Sequence, residues 1–132
     1  MLLKKRRLIV MSIITTLCSI LGCNVKAEGF KSVGVEEFEQ AMADSAAVCL
    51  DVRTAAEYAD GHIAGAENVD VLLPDFTSKA VSLPKDKTVC LYCRSGNRSK
   101  KAAAILSKNG YTVVELDSGI NGWTKAGKPT TK

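Results

Sequence analysis

The segment CRSGNRS (residues 93–99) places a cysteine beside two arginines and a glycine within seven residues. It follows the apolar run Thr88–Tyr92 and precedes a stretch with helical spacing, so the cysteine is predicted to stand between a strand and a helix. Backbone amides in such a turn, together with the positive end of the helix dipole, favour a negative charge. Such surroundings lower a cysteine pKa from about 8.5 into the range of about 3.5 to 7.5. We therefore expect Cys93 to be a thiolate nucleophile.

The turn after Cys93 carries the groups that would hold an anion. Gly96 allows the backbone to curl tightly, so that the N–H groups of the turn can point inward as an anion-binding nest. Arg94 and Arg98 add full positive charge. A nest of this kind would hold an incoming anion or a persulfide on Cys93. The residues assigned to this binding loop are Arg94, Ser95, Gly96, Asn97, Arg98 and Ser99.

Short apolar runs alternate with amphipathic stretches along the rest of the chain. This alternation predicts an α/β three-layer sandwich with a central, mostly parallel five-stranded sheet. Thr54 and Glu57 form a capping box, and Gly110 is predicted to end the helix that follows the loop. The predicted strands are Lys31–Val33, Ala47–Val52, Ala66–Val69, Thr88–Tyr92 and Thr112–Leu116, and the predicted helices are Val35–Ala43, Thr54–Asp60, Leu73–Ala80, Ser99–Asn109 and Ile120–Ala126.

Charged residues end the strand AVCLDV, and in a parallel sheet that end lies at the same edge as Cys93. We expect Asp51 to interact with the active loop, where it would anchor Arg98, and Arg53 to be structural. Lys100 and Lys101 stand on the first helical turn, where a solvated face is favoured over substrate attraction. Tyr58 and Trp123 are expected to pack in the core or to line the rim of the pocket.

The first residues are typical of an export signal. Four basic residues (4–7) precede an apolar run from Leu8 to Leu21, which is shorter than the roughly 20 residues that span a bilayer. Val25 and Ala27 suit signal peptidase cleavage before Glu28, whereas Ile20–Cys23 resembles a bacterial lipobox that would leave Cys23 lipidated. We leave both open, and expect a signal peptide at 1–22 (or as far as 27), a tether at 23–30, one domain at 31–126 and a frayed polar tail at 127–132. The product would be periplasmic, either free or attached to a membrane as a lipoprotein.

The net charge of +4 belongs to this leader. Residues 1–22 hold four of the 18 Lys and Arg and none of the 14 Asp and Glu, which leaves 14 of each sign in the remainder. A neutral domain gives no support to nucleic-acid binding. Its size of somewhat over 100 residues is typical of one domain, which we expect to be monomeric.

The remaining cysteines and the one histidine give little support to other chemistries. Cys49 and Cys90 are expected to be reduced, buried residues, although Cys90 and Cys93 also read as the C-x-x-C of a thiol–disulfide redox protein. In such proteins both cysteines open a helix, whereas Cys90 lies inside a predicted strand. His62 is expected to pack or to make a local hydrogen bond. One histidine and scattered cysteines predict neither a metal site nor a cofactor.

Three stretches resemble one family. LDVRTAAEYADGHIAGAENV (50–69) is similar to the signature segment of the rhodanese domain, and VCLYCRSGNRSKKAAAILSKNGY (89–111) to its active-site strand, loop and helix. LDSGINGW (116–123) resembles the closing motif, with Ser118 where glycine is more usual. The similarity covers residues 31–126 and is greatest to small exported bacterial single-domain rhodaneses.

This resemblance implies thiosulfate sulfurtransferase chemistry. Cys93 would take a sulfane sulfur from an anionic donor such as thiosulfate as a persulfide, and a thiol or cyanide would remove it. Cysteine phosphatases of similar architecture have five residues between cysteine and arginine, but only four separate Cys93 from Arg98. A persulfide carrier that serves a dedicated partner, and a redox protein, are the alternatives.

Overall fold

Residues 29–132 are described by the computed structural model of the chain. The predicted leader, both candidate cleavage sites and the lipidation candidate Cys23 lie outside these described residues. Residues 29–132 form ten elements. The strands are β1 Lys31–Val33, β2 Ala47–Asp51, β3 Glu67–Asn68, β4 Thr88–Tyr92 and β5 Thr112–Leu116, and the helices are α1 Val35–Met42, α2 Ala55–Asp60, α3 Phe76–Ala80, α4 Asn97–Lys108 and α5 Gly119–Lys125.

All strand pairs of the sheet are parallel, in the order β1–β5–β4–β2–β3. The predicted α/β sandwich with a central five-stranded sheet is therefore confirmed. The central strand β4 is almost fully buried because both of its faces are covered by helices. Its carboxyl end, where Cys93 begins the loop, lies between the ends of β2 and β5.

Alternate residues of β4 serve two hydrophobic clusters, as the period of a strand requires. Val89 and Leu91 pack in one cluster with residues of α3 and α4, and Cys90 and Tyr92 pack in the other with residues of α1 and α5. Helices thus cover both faces of the sheet. Within residues 29–132, no helix has the length and hydrophobicity needed to cross a membrane.

The structure differs from the predicted boundaries by two residues or more at the starts of two helices. Helix α4 begins at Asn97, two residues before the predicted start, so Arg98 and Ser99 belong to its first turn rather than to the loop. Helix α3 begins at Phe76 rather than at Leu73. Pro74 explains this later start, because a proline disfavours helical backbone angles at the residue before it, here Leu73.

The tail at 127–132 is docked rather than frayed. His62 and Thr131 exchange two backbone hydrogen bonds of 2.8 Å, and Trp123 Nε1 donates to the Pro129 carbonyl at 2.8 Å. Lys128 forms ion pairs with Glu36 and Glu39 of α1. These contacts are made by the backbone and by a lysine, which is why a polar composition alone predicted a free tail.

Candidate active site

Cys93 directly follows β4, and its side chain is only 1% exposed. Its Sγ accepts a hydrogen bond from the Gly96 N–H at 3.1 Å and lies 3.3 Å from Ser99 Oγ. Burial alone would raise the pKa of the thiol. Hydrogen bonds with the hydroxyl and the amide of Ser99 and with the amides of Gly96 and Ser95 outweigh burial, and the pKa of Cys93 is lowered from its ordinary value. This environment favours a thiolate at the end of the strand.

Gly96 gives the loop its shape. Its φ of +102° is in the left-handed region, and a Cβ at this position would lie 2.0 Å from the Asp117 carbonyl oxygen. Only glycine meets both requirements, since other residues pay a steric penalty at positive φ and would collide with the backbone. The turn at Gly96 directs its own N–H toward the sulfur of Cys93.

The closing motif fixes the loop from the side of α5. Ile120 N–H donates to the Cys93 carbonyl at 2.9 Å, and Asn121 N–H donates to the Arg94 carbonyl at 3.1 Å. Gly119, at φ +63°, packs so closely on Arg94 that a Cβ would lie 2.3 Å from the Arg94 carbonyl oxygen. Ser118 has an ordinary helical φ of −89°, so the serine that departs from the family pattern needs no special conformation.

Arg98 is held by Glu57, and the expectation that Asp51 anchors it is wrong. The guanidinium makes two parallel bonds, from Nη1 to Oε1 at 2.6 Å and from Nη2 to Oε2 at 2.9 Å. The predicted capping box of Thr54 and Glu57 is also present, so one carboxylate both caps α2 and binds the first turn of α4. The sequence pattern explains Glu57 by capping alone, because its second contact is with a residue 41 positions away.

Asp51 is directed to Arg53 instead of to the loop, because Arg53 lies two residues away on the same chain segment. The fully buried Asp51 carboxylate accepts three hydrogen bonds from Arg53: from the backbone N–H at 2.9 Å, from Nε at 3.0 Å and from Nη2 at 2.6 Å. Arg53 Nη2 also donates to the Gly61 carbonyl at 2.7 Å. Burial opposes the charge on Arg53, but its bonds to Asp51 raise the pKa of the guanidinium. The pair fastens the end of β2 to the end of α2.

Arg94 is exposed and makes no ion pair with a carboxylate of residues 29–132. It borders an open cleft of about 240 Å³. Because Arg98 is neutralised by Glu57, Arg94 is the loop arginine whose charge is available to an incoming anion. The cleft is lined by Arg53, Glu57, Asp60, Arg94, Ile120 and Asn121.

A polar cluster behind the loop was not predicted from the sequence. Lys100 Nζ donates to the Gly96 carbonyl at 3.1 Å and to Asp117 at 2.9 Å, and lies 3.4 Å from Glu115 Oε1. Lys100 therefore stabilises the loop through these bonds, and the expectation that it belongs to a solvated face is wrong. Glu115 is fully buried and accepts the hydroxyl of Ser99 at 2.5 Å. The signal that could have found it is a charged residue inside the otherwise apolar strand TVVEL.

Cys49, Cys90 and His62 lie apart from this cluster. Cys49 and Cys90 are free, occupy paired positions on neighbouring strands, and pack on the sheet face opposite to the cluster that contains Cys93. Burial raises the pKa of Cys90 to about 11. His62 stacks on the Tyr58 ring at 3.6 Å, and its Nδ1 lies 2.9 Å from the Tyr58 carbonyl. Trp123 is buried against Phe38.

Similarity to known proteins agrees with this architecture. The family model described as the rhodanese-like domain matches residues 34–126. A sulfurtransferase of Allochromatium vinosum is 42% identical over 97 residues, which cover 71% of this chain and 88% of that protein. The thiosulfate sulfurtransferase GlpE of Pseudomonas fluorescens is 42% identical over 89 residues, covering 66% of this chain and 79% of that protein.

Solved structures give the same answer for the fold. A rhodanese-related protein of Thermoplasma volcanium superposes with a TM-score of 0.67 at 29% identity, covering 77% of this chain and 98% of its own. The parallel sheet, the strand-end cysteine and its loop define a rhodanese-type α/β domain. The chain belongs to the rhodanese-like domain family. Together with its sulfurtransferase relatives, this family match supports sulfur transfer as its general chemistry.

Proposed function

We propose that the chain is a thiosulfate-type sulfurtransferase that moves a sulfane sulfur to a thiol or to cyanide through a persulfide on Cys93. The observation that carries the proposal is the thiol of Cys93, buried at the strand end, with the Gly96 amide directed at its sulfur. A persulfide anion formed there would be surrounded by backbone N–H groups. The relatives named as sulfurtransferases, one of them for thiosulfate, support this choice of chemistry.

In the first half-reaction, the Cys93 thiolate attacks the outer sulfur of thiosulfate. A new sulfur–sulfur bond forms to Cys93, the sulfur–sulfur bond of the donor breaks, and sulfite leaves with the electron pair. The charge is −3 on both sides, so no proton or oxidant is needed. Arg94 would attract the dianionic donor, since its guanidinium is exposed at the loop and bonded to no carboxylate among the described residues.

In the second half-reaction, cyanide or a thiolate attacks the outer sulfur of the persulfide. The bond to Cys93 breaks, and the Cys93 thiolate leaves with the electron pair. The lowered pKa of Cys93 makes it a good leaving group as well as a nucleophile. Covalent transfer in two steps predicts ping-pong kinetics.

The loop suits a sulfur atom better than a phosphate. Four residues separate Cys93 from Arg98, and the Arg98 guanidinium is already bound at both terminal nitrogens, Nη1 and Nη2, by Glu57. A tetrahedral oxyanion would need that guanidinium for bidentate binding. This occupied arginine supports sulfur transfer over a phosphatase activity.

The compartment is part of the proposal. The basic and apolar leader supports export, with Cys23 as the site of a lipid if the lipobox is used. Fractionation of cells that express the full chain, with intact mass of the exported form, tests this. A mature start at Glu28 would establish the free periplasmic form, and a lipid on Cys23 the anchored form. Retention of the intact leader in the cytosol would refute both.

Intact mass of the purified protein after brief treatment with thiosulfate tests the central step. The expected result is a gain of one sulfur atom, about 32 Da, that cyanide removes again. Cys93→Ser should gain nothing, whereas Cys90→Ala, the matched loss of a neighbouring thiol, should gain the same mass. Absence of the adduct on folded, reduced protein would refute thiosulfate as the donor.

A further inference from the structure

Glu115 is a buried carboxylate that the sulfur-transfer steps do not use. It lies in β5 and is fully buried. Its Oε1 accepts the Ser32 hydroxyl at 2.6 Å, and its Oε2 accepts the Ser99 hydroxyl at 2.5 Å. Ser99 Oγ in turn lies 3.3 Å from Cys93 Sγ. One hydroxyl group therefore connects a buried carboxylate to the reactive thiol.

Ser99 has a single hydroxyl proton and two neighbours that can compete for it. An ionised carboxylate only accepts hydrogen bonds, so with Glu115 charged the proton of Ser99 is directed to Oε2. A lone pair of the Ser99 oxygen then faces Cys93, where it can accept a hydrogen bond from a protonated thiol. A thiolate at Cys93 needs the opposite orientation, with the Ser99 proton on the sulfur side. In that orientation the Ser99 oxygen can only accept from Glu115, so the hydrogen bond between them requires a protonated carboxyl on Glu115.

We propose that Glu115 is a positioning residue that shares one proton with Cys93 through Ser99. As the thiol proton moves to Ser99 Oγ, the original hydroxyl proton moves to Glu115 Oε2. The S–H bond and one O–H bond break, two O–H bonds form, and the negative charge moves from the carboxylate to the sulfur. No other reactant is required. The inference rests on Cys93 as the nucleophile of the proposed function, but not on any sulfur donor.

The charged groups around the relay lie on α4 and at the end of β5. Lys100 of α4 faces Glu115 and balances its buried charge, and it also pairs with Asp117 at 2.9 Å. Burial opposes the charge on Lys100, but its bonds to Asp117 and the charge of Glu115 raise the pKa of this amine, so it stays protonated. Arg98 is the cation on the Cys93 side, and Ser32 of β1 is uncharged.

The rate of alkylation of Cys93 by iodoacetamide, measured against pH, tests the relay without any sulfur chemistry. Glu115→Gln removes the negative charge and replaces the carboxylate that holds the Ser99 proton with a weaker, neutral amide, so the midpoint of alkylation should fall by about one pH unit. At pH values below both midpoints the variant should react about tenfold faster. Cys93→Ser gives the background from Cys49 and Cys90, whose pKa values burial raises.

Asp117→Asn is the matched control. Asp117 also contacts Lys100 and Ser32, but its side chain is 66% exposed and it makes no bond to Ser99. Its loss should leave the alkylation midpoint unchanged. A structural role for Glu115 would lower stability in Glu115→Gln without moving the midpoint of the folded protein. A midpoint that stays or rises in folded Glu115→Gln overturns the proposal.

A second measurement needs no change at Glu115. In protein labelled with ¹³C at the glutamate carboxyl, the Glu115 resonance should show an inflection at the pH where Cys93 ionises. That inflection should disappear in Cys93→Ser, which removes the thiol, and in Ser99→Ala, which removes the hydroxyl that connects it to Glu115. An inflection that persists in both variants, or is absent from the parent protein, refutes the shared proton. Failure to form a persulfide with thiosulfate would affect neither experiment.

Discussion

Arg98 and Glu57 form a two-point ion pair that joins the first turn of α4 to the first turn of α2, with N–O distances of 2.6 and 2.9 Å. The two residues are separated by 41 positions in the chain. Since Arg98 is in the turn that also carries Ser99, this pair fixes the position of the helix whose start faces the thiol. The geometry of the loop therefore depends on a carboxylate that does not contact Cys93.

Glu57→Gln should slow persulfide formation on Cys93 by about tenfold, because the released α4 turn misplaces the loop. Glutamine can retain the capping box with Thr54, so the variant removes the ion pair selectively. Intact mass against time after addition of thiosulfate measures the rate. Glu37→Gln breaks a pair with Lys31 of the same 2.6 Å length on the surface and should leave the rate unchanged. Equal rates in all three proteins would show that the pair does not position the loop.

The same ion pair should make the free energy of unfolding depend on pH in the acidic range. The Arg98 hydrogen bond outweighs burial and lowers the pKa of Glu57 to about 2. A lowered pKa means that the pair stabilises the fold fully above the unfolded value of about 4.3 and loses this effect as the pH falls toward 2. Relative to Glu57→Gln, the parent should gain about 1 kcal/mol at pH 6, discounted for partial exposure, and less at pH 3. Urea unfolding at both values measures it, and a difference that does not change with pH would contradict the assignment.

Asp51→Asn should destabilise the fold by about 3 kcal/mol, because it leaves the buried guanidinium of Arg53 without its counter-ion. Asp51 makes no contact with the loop, so the alkylation rate of Cys93 in the folded variant should match that of the parent. Urea unfolding and alkylation measure the two effects. Asp75→Asn, which breaks an exposed pair with Lys79, should cost under about 0.5 kcal/mol. Slower alkylation in Asp51→Asn would restore the role first expected for Asp51.

The fold could be predicted from the sequence because its local signals agree with one another. The strands Thr88–Tyr92 and Thr112–Leu116 have the predicted boundaries, since each is a short apolar run between turn residues. The capping box at Thr54 and the left-handed Gly110 at φ +91° also lie where they were predicted. Each of these features is encoded within a few neighbouring residues, so one sequence is sufficient to find it.

The supporting contacts of the site could not be predicted in the same way. Arg98 could have paired with either Asp51 or Glu57, and only the packing of α2 decides between them. Glu115 and Ser99 are 16 residues apart, and their contact depends on the register of α4 against β5. The sequence showed the reactive cysteine because its loop is local. The residues that position it come from distant segments.

Cys90→Ala should retain sulfur transfer within about twofold, because Cys90 packs on the opposite sheet face from the cluster containing Cys93. Because only one buried sulfur atom is removed, the substitution should lower the free energy of unfolding by at most about 1 kcal/mol. Persulfide formation and urea unfolding are the two measurements. A thiol–disulfide redox protein would require Cys90 to resolve Cys93, so loss of activity in a folded Cys90→Ala would favour that alternative.

Gly119→Ala should abolish persulfide formation, and Gly127→Ala should not. Both glycines have left-handed φ values, +63° and +81°, so both variants carry the strain of a side chain at positive φ, about 1 kcal/mol. They differ in what the new Cβ meets, which is the Arg94 backbone at 2.3 Å for Gly119 and open space for Gly127. Because the backbone of Arg94 is held between α5 and the Cys93 turn, relief of this clash must move the loop. We expect Gly119→Ala to lose about 3 kcal/mol of stability and the reactivity of the Cys93 thiol. Gly127→Ala should lose about 1 kcal/mol of stability, and its Cys93 should be alkylated at the normal rate. Equal losses in the two variants would show that conformational strain, rather than the contact between Gly119 and Arg94, accounts for the effect.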